Sequence, residues 1–206
     1  MRKVLTSVVA AWLIFLMASC SSVQLTKVWM DPSYDSPPLQ KIMIIAFRSD
    51  EIERRMWEDA MVNAVGEQKT ATSAVPSYRF FPHQVPPPDS VEIAVKDQNF
   101  DGVLVVAEVV FDTLTHQGPG YTTTEKVVEN RNRTYVTRYK EVYHPGQIDT
   151  AMIVSVQTDL FLPQTDGGQL VWSGTSESID LQSPEVFRAD VAGAVAKQLS
   201  KAGLIP

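Results

Sequence analysis

Residues able to do chemistry are sparse and scattered along this chain. His83, His116 and His144 lie far apart, without the H-x-x-x-H or H-x-x-E-H spacings of helical zinc sites. The sequence has no nucleophile elbow, P-loop or dinucleotide-binding fingerprint. Asp112, at the end of an apolar run, is a candidate acid–base carboxylate, but no nucleophile–base pair or metal signature accompanies it. We therefore predict no catalytic residue, cofactor or metal, and expect that the protein is not an enzyme.

Cys20 is the only cysteine, which excludes an internal disulfide. Upstream of it, Arg2 and Lys3 precede an uncharged, largely apolar run from Val4 to Met17. A transmembrane helix needs about 20 apolar residues. The shorter run is typical of a signal peptide.

The string from Leu16 to Cys20 (LMASC) resembles the lipobox of bacterial lipoproteins. The resemblance implies that residues 1–19 are a signal peptide and that Cys20 is acylated, which anchors the mature chain to a membrane. In that family an aspartate after the cysteine favours inner-membrane retention, whereas Ser21 and Ser22 follow here. The resemblance thus implies an outer-membrane lipoprotein that faces the periplasm. An ordinary secretory leader with a coincidental cysteine is the alternative.

The mature chain is acidic. The sequence carries 18 Lys and Arg against 24 Asp and Glu, and removal of Arg2 and Lys3 leaves 16 against 24, a charge of −8. Nucleic-acid binders normally present a basic stripe, and adhesion to anionic lipid needs clustered Lys and Arg; the sequence shows neither. We expect no nucleic-acid partner, and expect membrane contact through the lipid at Cys20.

Apolar patterning predicts one α/β domain over residues 41–206, after a lipidated cysteine, tether and first strand over 20–40. The predicted order is β-β-α-β-α-β-insertion-β-β-α. This predicts an α/β (α+β) fold with one mixed sheet of about five to seven strands packed by two or three helices. The predicted strands are 25–29, 41–47, 78–81, 103–111, 148–162 and 169–180, the helices are 50–68, 90–98 and 183–202, and the insertion is about 112–147.

Two helix starts are well marked. Asp50, with Glu53 three residues later, is similar to a capping box. Ser183 followed by Pro184 is a typical N-cap and first helical position. In the first of these helices, the spacing of Ile52 and Met56 with later apolar residues predicts a buried face.

The predicted insertion carries a row of tyrosines. If the segment is extended, residues two apart share a face, so Tyr135, Tyr139 and Tyr143 lie together. Phenol rings can stack on a partner while their hydroxyls stay solvated. These tyrosines are our candidate partner-binding residues. An ordinary hairpin covering the sheet edge and a disordered segment are the alternatives.

The segment Leu170 to Ser176 (LVWSGTS) follows a long predicted strand and precedes the last helix. It resembles the end of a family of uncharacterised bacterial lipoproteins with a domain of unknown function. More distantly, the element order is similar to the N-terminal domains of TolB and CsgG and to the activator lipoprotein LpoB. The resemblance implies an envelope protein that acts by contact, and it carries over no functional residue.

These observations favour a lipid-anchored interaction or adaptor domain in envelope assembly, transport or cell-wall maintenance, with an envelope protein as its partner. One alternative is a small-ligand-binding lipoprotein, with a pocket between the sheet and the helices at 50–68 and 183–202. The other is a hydrolase of peptidoglycan or another glycan.

Overall fold

A computed structural model describes residues 23–69, 71–131, 134–146, 148–163, 168–179 and 183–206. Cys20 lies outside these residues. The helices are α1 (Glu51–Glu67), α2 (Pro88–Gln98) and α3 (Pro184–Lys201), with a short 3-10 turn at Ser77–Arg79. The strands are β1 (Val23–Met30), β2 (Lys41–Ala46), β3 (Ser73–Pro76), β4 (Gly102–Gln117), β5 (Tyr121–Arg131), β6 (Thr134–His144), β7 (Ile148–Leu162) and β8 (Gln169–Ile179).

The fold is α/β, with one mixed sheet in the order β1-β8-β7-β4-β2-β3. β3, β2 and β4 run parallel, whereas β4, β7, β8 and β1 pair antiparallel. β5 and β6 form a separate antiparallel hairpin. The order of elements along the chain is the one that the sequence predicts.

The predicted position of the third strand is wrong. The strand is Ser73–Pro76, and most of the aromatic stretch from Tyr78 to Phe81 forms a 3-10 turn and its exit. Apolar content alone suggested a strand there, but Phe80 and Phe81 donate their backbone N–H groups to the carbonyl of Ser77. These short-range bonds curl the chain away from the sheet.

α1 and α3 cover one face of the sheet and enclose the larger core. Strand residues such as Ile44, Leu104 and Val156 are fully buried beneath them. The two helices meet where Trp57 and Phe187 pack edge to face, with ring centroids 6.0 Å apart. Burial of this apolar surface, at about 25 cal/mol per Å², is the main source of stability.

The buried face of α1 differs from the prediction. Ile52 and Met56 are exposed, whereas Arg54 and Glu58 are buried. Glu58 accepts hydrogen bonds from the Ser77 hydroxyl (2.7 Å) and from backbone N–H groups, and Arg54 donates to backbone carbonyls of the segment after β3. The segment from 77 to 84 thus gives polar partners to two charged residues on the helix face that also buries Trp57, Met61 and Val65.

Trp172 and Gly174 in the LVWSGTS segment have a clear packing role. They lie two residues apart on β8 and share its buried face, so the indole lies over the glycine. A Cβ on Gly174 would lie 2.5 Å from Cη2 of Trp172. Only glycine leaves room for this fully buried ring.

Gly174→Ala is expected to lower the free energy of unfolding by about 1–3 kcal/mol, because the methyl group overpacks the core against Trp172. Chemical denaturation measures the change. Gly193→Ala is the matched control, because a Cβ at that position on α3 meets nothing within 4 Å. The control should be neutral or stabilising by up to about 1 kcal/mol. Equal effects of the two substitutions would refute the role given to Gly174.

Candidate functional site

The most distinctive feature is a β arm, by which we mean residues 107–157. In it β4 and β7 stay paired from Val109 opposite Val156 out to Gln117 opposite Ile148, and the β5–β6 hairpin follows. The last residue of β2 pairs with Val106 of β4. Beyond Val106, none of the described strands pairs with the edge of β4 that β2 occupies further back. The last five residues of β4, from Thr113 to Gln117, span roughly 16 Å at about 3.3 Å per residue.

A bulge and an arginine fix the base of the arm. The β4–β7 register shifts between Val106 and Val109, which is typical of a β-bulge. Arg48, just after β2, donates from Nη1 to the carbonyls of Ala107 (2.6 Å) and Phe47 (2.7 Å). Its guanidinium also lies 4.9 Å from the ring centroid of Trp57. The arm therefore starts from a rigid part of the domain.

Large apolar side chains are exposed where the arm begins. Phe111 is 64% exposed, although Val154 opposite it in the register is almost fully buried, so the helices stop covering this face between the two. Met152, two pairs further out on the same face, is also exposed. Other exposed apolar side chains at this end of the molecule are Ile52, Val110, Ile148, Ile179 and Val186.

The structure places the candidate tyrosines on the hairpin. Tyr135, Tyr139 and Tyr143 of β6 pair with Asn130, Lys126 and Thr122 of β5. Tyr143 is exposed, and its ring lies over Gly120. The hairpin strands pair only with each other, so the described hairpin does not extend the sheet edge. A partner-binding role for the tyrosines stays a prediction.

The predicted strand ends at Phe111, whereas β4 runs to Gln117. The signal was the length of β7: a 15-residue strand needs a neighbour of similar length. Asp112 therefore lies within a strand, opposite Ile153, and not at a strand end where a catalytic group could project. Its carboxylate accepts the backbone N–H of Thr113.

The buried carboxylate of Glu58 is enclosed by donors and not open to a substrate. Burial raises its pKa above the ordinary glutamate value, whereas hydrogen bonds from Ser77, Tyr78 and Ala46 and the charge of Arg54 oppose that rise. The side chain is fully buried. The arrangement holds the 77–84 segment against α1, and we assign it a structural role.

The structure has a cleft, but not on the face where the sequence placed a pocket. The space beneath α1 and α3 is packed core. The cleft, of about 810 Å³, lies on the opposite face, between α2, the floor of β2 and β4, and the end of β7. The cleft forms here because α2 covers its face incompletely: Val95 is its only buried residue.

Two kinds of feature are absent from the residues that the structure describes. Within them, no group of three or more His, Cys, Asp or Glu side chains is arranged to hold a metal ion. None of the described helices combines the length and apolar character needed to cross a membrane. Of the three histidines, His144 contacts Thr123, with 2.8 Å between its Nε2 and the hydroxyl oxygen.

A mixed α/β domain with a projecting β arm is the class that this geometry defines. No protein-family model matches the chain, and no curated protein matches it. Among solved structures, it is similar to a PelC dodecamer from Paraburkholderia phytofirmans, at 17% identity over 84% of this chain and 94% of that chain, with a TM-score of 0.42.

A variant of the same PelC dodecamer gives 17% identity, 84% and 95% coverage and a TM-score of 0.41. A PDZ domain protein from Parabacteroides distasonis gives 10% identity over 86% of this chain and 35% of that chain, with a TM-score of 0.37. At these TM-scores no function or assembly state is carried over. The resemblance to uncharacterised lipoproteins and to TolB, CsgG and LpoB stays a prediction.

Proposed function

We propose that this protein is a non-catalytic, lipid-anchored interaction protein of the bacterial cell envelope, and that its β arm binds a protein partner. The observation that carries the proposal is the exposed apolar surface at the base of the arm, around Phe111 and Met152. The proposed anchor is Cys20, and the proposed location is the periplasmic side of the outer membrane.

Exposed apolar side chains grouped at one place are a typical mark of a contact surface. Val110 and Phe111 are neighbours on β4 and point to opposite faces of the ribbon, so both faces present apolar surface. Aromatic residues and methionine are enriched in protein interfaces. The base of the arm thus has the composition that a protein partner requires.

The backbone of the arm adds a second binding element. Beyond the end of β2, one edge of β4 has no neighbouring strand in the described part of the chain. Such an edge presents N–H and C=O groups to which an extended segment of another protein can pair. Pairing there would bring the partner directly beside Val110 and Phe111.

The proposed anchor and the arm lie at the same end of the sheet. Val23, the first residue of β1, pairs with Ser178 of β8. Ile179, which follows Ser178 on β8, pairs with Ile153 of β7 at the base of the arm. Cys20 is three positions before Val23 in the sequence, a reach of about 10 Å at most. If Cys20 is acylated, the arm base is held near the membrane surface, so we propose a partner at the same membrane.

Replacing Phe111 and Met152 together by serine is expected to reduce capture of the partner at least tenfold. Loss of an important interface side chain typically costs more than about 1 kcal/mol, and 1.4 kcal/mol is a factor of ten. The yield of the cross-linked complex in cells measures the effect. Because both side chains are exposed, the free energy of unfolding should change by less than about 0.5 kcal/mol.

The matched control is Ile93→Ser. Ile93 is 61% exposed, close to the 64% of Phe111, but it lies on α2, on the face of the sheet opposite α1 and α3. This control should leave the cross-linked complex at the wild-type level. Unchanged capture by the double variant, or an equal loss with Ile93→Ser, would contradict the proposal.

A further inference from the structure

We propose that the cleft beneath α2 binds a small amphiphile, with its apolar chain on the strand floor and a cationic group at the cleft mouth. The floor and walls are mostly apolar, including Ile45, Val103, Val105 and Phe161. Small-molecule sites are typically 300–1,000 Å³ in volume and mainly apolar, with few polar groups. The 810 Å³ cleft lies in that range.

The cleft exists because the second core is small. Its buried members include Met43, Ile45, Val95 and Phe100, whereas the opposite face is closed by two long helices. Phe47, at the end of the floor strand β2, lines the cleft and is exposed. A bound apolar chain would cover this surface and remove it from water.

The charges around the cleft select the end group of the ligand. Lys96 and Glu92 on α2 form an ion pair of 2.6 Å and largely neutralise each other. Asp89 lies in the first turn of α2, where it offsets the positive end of the helix dipole. This wall therefore offers no surplus positive charge to an anion.

A further negative charge lies beside the cleft, just outside its lining. Asp159 is directly opposite Val105 in the β4–β7 register, and neighbouring side chains in such pairs have Cβ atoms about 5 Å apart. Its carboxylate accepts hydrogen bonds from the neutral amide of Gln157, at 3.0 and 3.1 Å. Since that amide carries no charge, the carboxylate keeps a negative charge beside the cleft, which favours a cation over an anion there.

Isothermal titration of the purified full chain with decylammonium, octylammonium and decyl sulfate, each below its micelle concentration, tests the proposal. We expect one decylammonium site with a dissociation constant at least tenfold lower than that of decyl sulfate. Octylammonium, which has two methylenes fewer, should bind up to about 15-fold more weakly than decylammonium, at roughly fourfold per buried methylene. Equal affinity for decyl sulfate, or no dependence on chain length, would overturn the proposal.

A pair of variants tests the location. Val105→Trp fills the cleft floor and should weaken decylammonium binding at least tenfold. Val110→Trp is the matched control, because it lies further along the same strand and outside the cleft lining. Equal binding by the two variants would place the site elsewhere and overturn the proposal.

A charge test does not depend on repacking the floor. Asp89→Asn with Asp159→Asn should lower the preference for the ammonium over the sulfate about fivefold or more, because each substitution removes one negative charge at or beside the cleft. Asp35→Asn with Asp97→Asn removes the same net charge at exposed positions outside the lining. An equal effect of the two double variants would show that only overall charge matters and would contradict the assignment.

Discussion

Arg54→Met is expected to lower the free energy of unfolding by about 3–5 kcal/mol, the usual cost of removing one partner from a buried charged network. Arg54 donates from Nη1 to the carbonyl of Gln84 and from Nη2 to that of Phe81, both at 2.6 Å. The substitution leaves both carbonyls without these donors. It also removes the positive charge that favours the ionised form of the buried Glu58. Chemical denaturation of the purified protein measures the loss.

Arg55→Met is the matched control because it is the same substitution at the next position of α1. Arg55 is about half exposed and pairs with Glu51 at 2.6 Å, four residues earlier on the helix. Exposed pairs of this kind contribute about 0–1 kcal/mol. If the two variants lose equal stability, the buried network does not have the structural role that we assign to it.

Cys20→Ala is expected to abolish acyl labelling and release the protein from membranes. Three acyl chains, at about 0.8 kcal/mol for each buried methylene, make anchoring effectively permanent, so loss of the only thiol should change the location of nearly all the protein. Labelling with a fatty-acid analogue and membrane fractionation are the measurements. Ser22→Ala, two residues away, is the control and should remain labelled and membrane-bound. A labelled Cys20→Ala protein would exclude Cys20 as the acylation site.

Local signals in the sequence were enough to predict most of the fold. Asp50 caps α1 by accepting the backbone N–H of Glu53 at 2.8 Å, and α3 begins at Pro184 after Ser183, as predicted. The order of elements is also confirmed, because apolar runs and turn residues mark each long element. These features depend on neighbours within a few residues, and a single sequence contains that information.

The errors arose where distant residues decide the structure. The segment from Tyr78 to Phe81 looks like a strand, but its backbone forms hydrogen bonds with Glu58 and Arg54 of α1. Because of these hydrogen bonds the two charged residues are buried, whereas Ile52 is exposed. Helical periodicity cannot show which side of a helix will meet such a segment.

The candidate site was predicted only in part. The sequence drew attention to the hairpin through Tyr135, Tyr139 and Tyr143, which lie on β6. It did not single out Phe111 or Met152, because apolar residues in strands normally read as core. Their exposure follows from where α1 and α3 end relative to β4 and β7, and that depends on the packed structure.

In-cell photo-crosslinking tests the central claim, that the base of the arm is a protein-binding surface, most directly. A photoreactive residue is placed at Phe111, at Tyr143 on the hairpin and at Ile93 on α2, all three of which are exposed. We predict one discrete protein adduct from Phe111 and Tyr143 and none from Ile93. Adducts of equal yield from all three positions, or capture of lipid alone from Phe111, would contradict the account.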